Sequence, residues 1–347
     1  MRSKIFQYVL IFIAGLISSS HSAAAQTADD FHLQVTPSPL FTTLKPGTET
    51  MLELKIRNAG SGTEELRIDP RSFSVDNQTG QVTLDDTTPS EIAPWISFSA
   101  QKFTVKPGQW YTQRVYVSLP KDTGFSYSLA LIINRANDPT PMESGRNLKG
   151  SVAVFTLINV DRPGATRKVE VTKFSTSAGI YEYLPVTLNM QFKNTGNTIV
   201  QPYGNVFIQR AIDDEIPLAT LPVNDKRGYI LPGSERLLTA DWKNGFPIYQ
   251  SQTEASGTTK VSEVWDWSRI SDFRIGNYTA KLVAVYNDGQ RDVPLEENVS
   301  FWVLPWKILL GALITLGLVG LGVWTLMRKI WLMFRRAKHA PTKSNEV

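Results

Sequence analysis

Residues 50–57 read TMLELKIR, an alternation that puts Leu52, Leu54 and Ile56 on one side and Glu53, Lys55 and Arg57 on the other. Successive side chains of an extended chain point to opposite faces, so this pattern is a strand with one face buried and one in water. Lys45-Pro46-Gly47 precedes it, and Asn58 begins a stretch containing Gly60 and Gly62 that follows it; both are chain-reversal signals. Leu66 and Ile68, flanking Arg67, begin the return. The same reasoning predicts strands near residues 82–84, 98–105, 113–119, 128–133 and 151–160. Six or seven short strands separated by turns indicate a β-sandwich.

After Asp161-Arg162-Pro163-Gly164, which reads as a linker, the pattern starts again. Val186, Leu188, Met190 and Phe192 alternate with Thr187, Asn189, Gln191 and Lys193, and the turn Asn194-Thr195-Gly196-Asn197 follows. Residues 54–68, LKIRNAGSGTEELRI, and residues 189–203, NMQFKNTGNTIVQPY, share this plan of apolar strand, Asn/Gly turn and extended return. Further along, Val105-Lys106-Pro107-Gly108 corresponds to Leu231-Pro232-Gly233, each leading into a strand. The halves therefore read as duplicated modules. Asn287-Asp288-Gly289-Gln290 between two apolar strands is the sharpest hairpin signal in the chain.

The ends set the topology. Residues 1–25 run from basic Arg2 and Lys4 through an apolar block to Ala23-Ala24-Ala25, the pattern of a secretory signal peptide cut before Gln26. Residues 308–327 carry no charge and have about the twenty-residue length that crosses a hydrocarbon core. Trp306, Trp324 and Trp331 sit near the edges of that block, and Arg328, Lys329, Arg335 and Arg336 follow it, so its C-terminal side is expected in the cytoplasm. The basic tail serves either as a stop-transfer anchor or as a contact for anionic headgroups. The expected organisation is all-β: a signal peptide at 1–25, two tandem immunoglobulin-like β-sandwiches at 26–160 and 161–304, one transmembrane helix at 305–327 and a basic cytoplasmic tail at 328–347. The protein is thus expected in the cell membrane as a single-pass protein with its ectodomain extracellular.

The formal net charge of +4 arises at the ends. Eight of the 36 Lys and Arg residues flank the two apolar blocks, leaving 28 against 31 acids between Gln26 and Met327. That mildly acidic ectodomain offers no basic stripe for nucleic acid. The chain has no cysteine, which excludes disulfides, thiol nucleophiles and cysteine metal sites, and favours a bacterial source. Its mature ectodomain holds one histidine, His32, too little for a Ser-His-Asp or His-metal constellation. The acid groups Asp85-Asp86, Asp213-Asp214-Glu215 and Glu296-Glu297 fall beside turns or in polar loops, where they read as solvated. No enzyme activity, cofactor or metal is expected. Trp265, Asp266 and Trp267, after a polar stretch at 250–260 that reads as a long loop, are the candidate binding residues. Two readings stand: an exposed platform for a sugar or a partner, or rings packed into the second core and over the loop.

The run LKPGTETMLELKIRN, then FSVDNQTGQVTL, then PWISFSAQKFTVKPGQWYTQRVYVSLPKDTGFSYSLALII resembles the first domain of the bacterial WxL-interacting surface proteins. That resemblance implies two Ig-like modules before a C-terminal membrane helix, with the first module associated with peptidoglycan and the second with a host or partner protein. The expected function is thus non-enzymatic binding of a cell-wall polymer or another surface protein, in adhesion or as a scaffold. The alternative is an accessory or chaperone-like subunit of a membrane complex handling exported proteins. The sequence leaves the oligomeric state open.

Overall fold

Both alternating runs are strands that end on a buried asparagine. The computed structural model describes residues 31–76, 81–85, 87–137, 150–210, 216–253 and 259–337, with side chains to residue 331 in the last stretch. The expected signal peptide, the acids Asp86 and Asp213–Glu215 and the tail from residue 338 lie outside the described residues.

The first half contains β1 (Leu33–Thr36), β2 (Leu40–Leu44), β3 (Glu49–Asn58), β4 (Glu64–Arg71), β5 (Phe73–Val75), β6 (Val82–Leu84), β7 (Ile96–Phe98), β8 (Lys102–Val105), β9 (Trp110–Ser118), β10 (Ser126–Arg135) and β11 (Ser151–Val160). The second contains β12 (Val169–Thr176), β13 (Ile180–Tyr181), β14 (Val186–Asn194), β15 (Tyr203–Gln209), β16 (Ala219–Val223), β17 (Glu235–Trp242), β18 (Ile248–Thr253), β19 (Thr259–Val264), β20 (Gly276–Asn287) and β21 (Asp292–Val303). The helix α1 (Trp306–Ala337) follows β21.

In the first half the sheets run β1-β3-β9-β7 and β2-β11-β10-β4-β8; in the second they run β12-β14-β17 and β13-β21-β20-β15-β16. Each pair of sheets shares one apolar cluster. Leu54, Ile56, Val115, Val117, Ile68, Leu131 and Ile158 meet in the first. Val186, Leu188, Met190, Phe192, Trp242, Tyr278 and Phe301 meet in the second. The connectivity repeats as well. β1 pairs antiparallel with β3, then the chain crosses and β2 pairs parallel with β11. Likewise β12 pairs antiparallel with β14, and β13 then pairs parallel with β21. In both halves the entering segment therefore closes both sheets, supplying an edge strand to each.

A hydrogen-bonded clasp repeats with it. Asn58 Nδ2 donates to the carbonyls of Gly62 (2.6 Å) and Val105 (3.0 Å), and its Oδ1 accepts from Gly60 N–H (2.9 Å). Asn194 Nδ2 donates to Thr198 (2.7 Å) and Ile230 (2.9 Å), and its Oδ1 accepts from Gly196 N–H (3.0 Å). The backbone carbonyls of the two asparagines accept from Gly108 and Gly233, whose φ values of 72° and 71° lie in the left-handed region that favours glycine. The Pro-Gly pairs are thus the far wall of the same clasp.

Three expectations are corrected. The single strand expected over 98–105 is two strands in different sheets: Phe98 pairs with Val115, whereas Lys102 pairs with Arg67. The backbone of Ser99 and Gln101 bonds to Arg114 and Ile68 respectively, so three residues carry the chain from one sheet to the other. The loop expected over 250–260 is largely the β18–β19 hairpin, paired from Ile248↔Val264 to Thr253↔Thr259. Most of its side chains are exposed, which leaves no apolar alternation to read. Finally, α1 continues past the expected end at Met327 to Ala337, because residues 328–337 hold neither Gly nor Pro to stop it. At 1.5 Å per residue it is about 48 Å long, and none of its most apolar window is buried against the rest of the chain.

Candidate functional site

β11 is the strand that joins the fold to a site. Val154, Ile158 and Val160 point into the first apolar cluster, so Phe155, Leu157 and Asn159 point out of the other face of the sheet. The second half covers that face. Asn159 Nδ2 donates to Ile199 O (2.9 Å) and its Oδ1 accepts from Ile199 N–H (2.8 Å), with both residues buried. Ser126 Oγ donates to Asn197 O (3.1 Å), and Phe41 stacks on Tyr229 with centroids 4.9 Å apart. The linker is tied down too: Asn197 Nδ2 donates to Gly164 O and its Oδ1 accepts from Thr166 N–H.

Beside these contacts a groove of about 260 Å³ opens between the halves. Phe73, Val75, Val82, Phe155 and Leu157 form its apolar wall from the first half, with Phe73 edge-on to Phe155 at 5.0 Å. Lys226, Arg227, Tyr229 and Arg236 line it from the second half. Arg236 Nη1 donates to Tyr229 O (3.0 Å), and burial lowers its guanidinium from its ordinary value. Arg227, held at a φ of 52°, lies over the Tyr203 ring at 3.7 Å. Glu235, the acid in the lining, is engaged by Lys193 at 3.1 Å. The result is an apolar trough with a cationic side. The sequence reading missed it. Its local signal lay in β11, SVAVFTLINV at residues 151–160, where apolar residues stand on both faces and both faces are buried toward the end of the strand.

Trp265, Asp266 and Trp267 come together elsewhere, beyond β19. Trp265 lies edge-on to Phe246 at 5.6 Å and 6.1 Å from Tyr183; Trp267 is 5.3 Å from Phe246 and 5.8 Å from Trp265. Phe246 is the buried hub, whereas Trp267 is 65 % exposed. Asp266 caps the 3-10 turn Trp267–Asp272, accepting from Ser268 N–H (3.2 Å) and Ser268 Oγ (2.6 Å), and those bonds lower its carboxyl from the ordinary value. Among the remaining acids, Glu296 pairs with Lys281 at 3.5 Å. Among the described residues no group of three or more His, Cys, Asp or Glu is arranged to hold a metal ion.

No protein-family model matches the chain, and no curated protein matches it. Among solved structures it is similar to the class 5 fimbriae chaperone CfaA, at 9 % identity over 79 % of this chain and 100 % of that one, with a TM-score of 0.34. The E. coli chaperone DraB gives 13 %, 67 %, 98 % and 0.31 in the same order. The Pseudomonas aeruginosa CupB2 chaperone gives 12 %, 67 %, 100 % and 0.32.

Proposed function

We propose that this chain is a non-enzymatic, membrane-tethered binding protein acting as an accessory or chaperone-like subunit. In this reading two Ig-like modules, residues 26–160 and 161–304, are held outside the membrane by α1 and grip an extended segment of an exported or surface protein. The observation that carries it is the groove between the halves, an apolar wall facing Lys226, Arg227 and Arg236. Buried bonds between Asn159 and Ile199 preform the site, which reduces the ordering cost of binding. The apolar wall accepts apolar side chains of the partner, and the cations select an acidic segment. The chain has no cysteine to act as a nucleophile, and two of its three histidines lie in the end segments. The plan of two modules, a helix and a basic tail is also what the resemblance to WxL-interacting surface proteins implies, and cell-wall polymer is the competing ligand.

The test is co-purification of the full-length chain from detergent-solubilised membranes of its source, beside a double variant carrying Val82→Glu and Lys226→Glu. We expect an exported protein retained in stoichiometric amount by the native chain and reduced about tenfold or more by the variant, equivalent to about 1.4 kcal/mol or more. Equal sedimentation of both chains with isolated cell walls, with no protein retained by either, would replace this reading with polymer binding.

A further inference from the structure

The second half meets α1 through a short chain of named contacts. Leu304 N–H donates to Tyr181 O (2.7 Å), which sets residues 181–183 beside the start of the helix. Glu182 then takes Lys307 Nζ, in the first turn of α1, at 2.7 Å, and its Oε2 accepts from the Tyr249 hydroxyl at 3.1 Å. Tyr183 lies next, 5.5 Å from the Tyr249 ring and 6.1 Å from Trp265. Trp265 leads through Phe246 to Trp267, and an isolated bridge joins Phe246 to Phe273. An aromatic cluster is therefore anchored, ring by ring, to the mouth of the apolar helix.

Its outer residues are unusually apolar for a surface. Trp267 is 65 % exposed and Ile270, in the same 3-10 turn, 58 %; Trp265, Phe273 and Ile275 are exposed as well. The charges between residues 265 and 275 balance. Arg269 and Arg274 both pair with Asp272, at 3.3 and 3.2 Å, and Asp266 is occupied as the cap. Tryptophan is the residue type favoured at the boundary between hydrocarbon and water, where its ring sits among headgroups. Trp306 at the helix start is 51 % exposed and has the same character.

We propose that residues 265–275 form an interfacial foot: Trp265, Trp267 and Ile270 insert at the headgroup level of the outer leaflet and hold the second module against the bilayer. This rests on the reading of α1 as a membrane span. The occupant is lipid rather than sugar, because the cluster is continuous with the helix and because its outward side chains, Trp267 and Ile270, are apolar, while Asp266 Oδ1 is held by Ser268 in the cap. A foot of this kind fixes the tilt of the modules, and with it the direction in which the groove faces.

The absence of native cysteine makes the test direct. Full-length variants Ile270→Cys, Trp267→Cys, Val319→Cys and Tyr116→Cys are each labelled with a polarity-sensitive fluorophore and reconstituted into phosphatidylcholine vesicles with or without brominated acyl chains. We expect a blue shift and bromine quenching at 270, 267 and 319, and neither at Tyr116 in the first half. Quenching at 319 with water-like emission at both 267 and 270 overturns the foot while leaving the span intact. Water-like emission at 319 overturns the span and the foot with it.

Discussion

Asn58 and Asn194 show how one side chain closes a sandwich corner. Each is fully buried, and each amide satisfies two carbonyls and one N–H that would otherwise be lost to water. Leaving buried polar groups without partners costs about 1–3 kcal/mol. Asn194→Ala is therefore expected to lower stability by about 2–3 kcal/mol, read from urea unfolding of the second half, and Asn58→Ala to act similarly in the first. A change below about 0.5 kcal/mol would show that water or backbone adjustment replaces the clasp. The positions of these residues are legible as Asn/Gly turns in the sequence. Their role is not, because the Val105 and Ile230 carbonyls that complete each clasp lie 47 and 36 residues away.

At the scale of elements, the junction between the second half and α1 is built on Glu182, whose side chain is 10 % exposed. Tyr249, which donates to it, has its hydroxyl pushed well above its ordinary value of 10.0, first by burial and then by the hydrogen bond and charge of Glu182. The neutral tyrosine is the form that the fold holds. Its contribution to stability is complete below the unfolded value and is lost as pH rises above about 10 toward the folded value. Burial raises Tyr183 and Tyr229 as well, so alkaline destabilisation is shared. Tyr249→Phe is expected to lower the unfolding temperature at neutral pH and to reduce its further fall between about pH 9 and 11; an unchanged slope would remove Tyr249 from the linkage. Elsewhere the elements answer to close approach. A Cβ at Gly204, the second residue of β15, would collide with Val283 O in β20, which explains a glycine within a paired strand.

For the whole molecule, the decisive feature is that the halves are pinned to each other. Asn159 exchanges two hydrogen bonds with Ile199, Phe41 stacks on Tyr229, and the linker is tied by Asn197. Residue pairs on the two halves should accordingly report a single narrow distance. With spin labels on Tyr116→Cys and Leu237→Cys, both at exposed positions, the native background is expected to give one peak and Asn159→Ala a broadened or second one. Equal widths would mean that the ring stack and the linker alone set the angle. A fixed angle matters because the groove takes its walls from both halves.

The sequence by itself determined the all-β character, the repeated plan of strand, Asn/Gly turn and Pro-Gly turn, and the apolar helix, since all three are periodicities or local turn chemistry. It placed Trp265 and Trp267 together because they are neighbours in the chain. Only the tertiary structure decided that residues 98–105 divide between two sheets, that Asp266 caps the turn beginning at Trp267, and that Phe155 and Leu157 face Lys226 and Arg236 across a groove. Those outcomes depend on which surfaces are covered by distant segments. Alternation records that a strand has two faces, but not what lies against the second one.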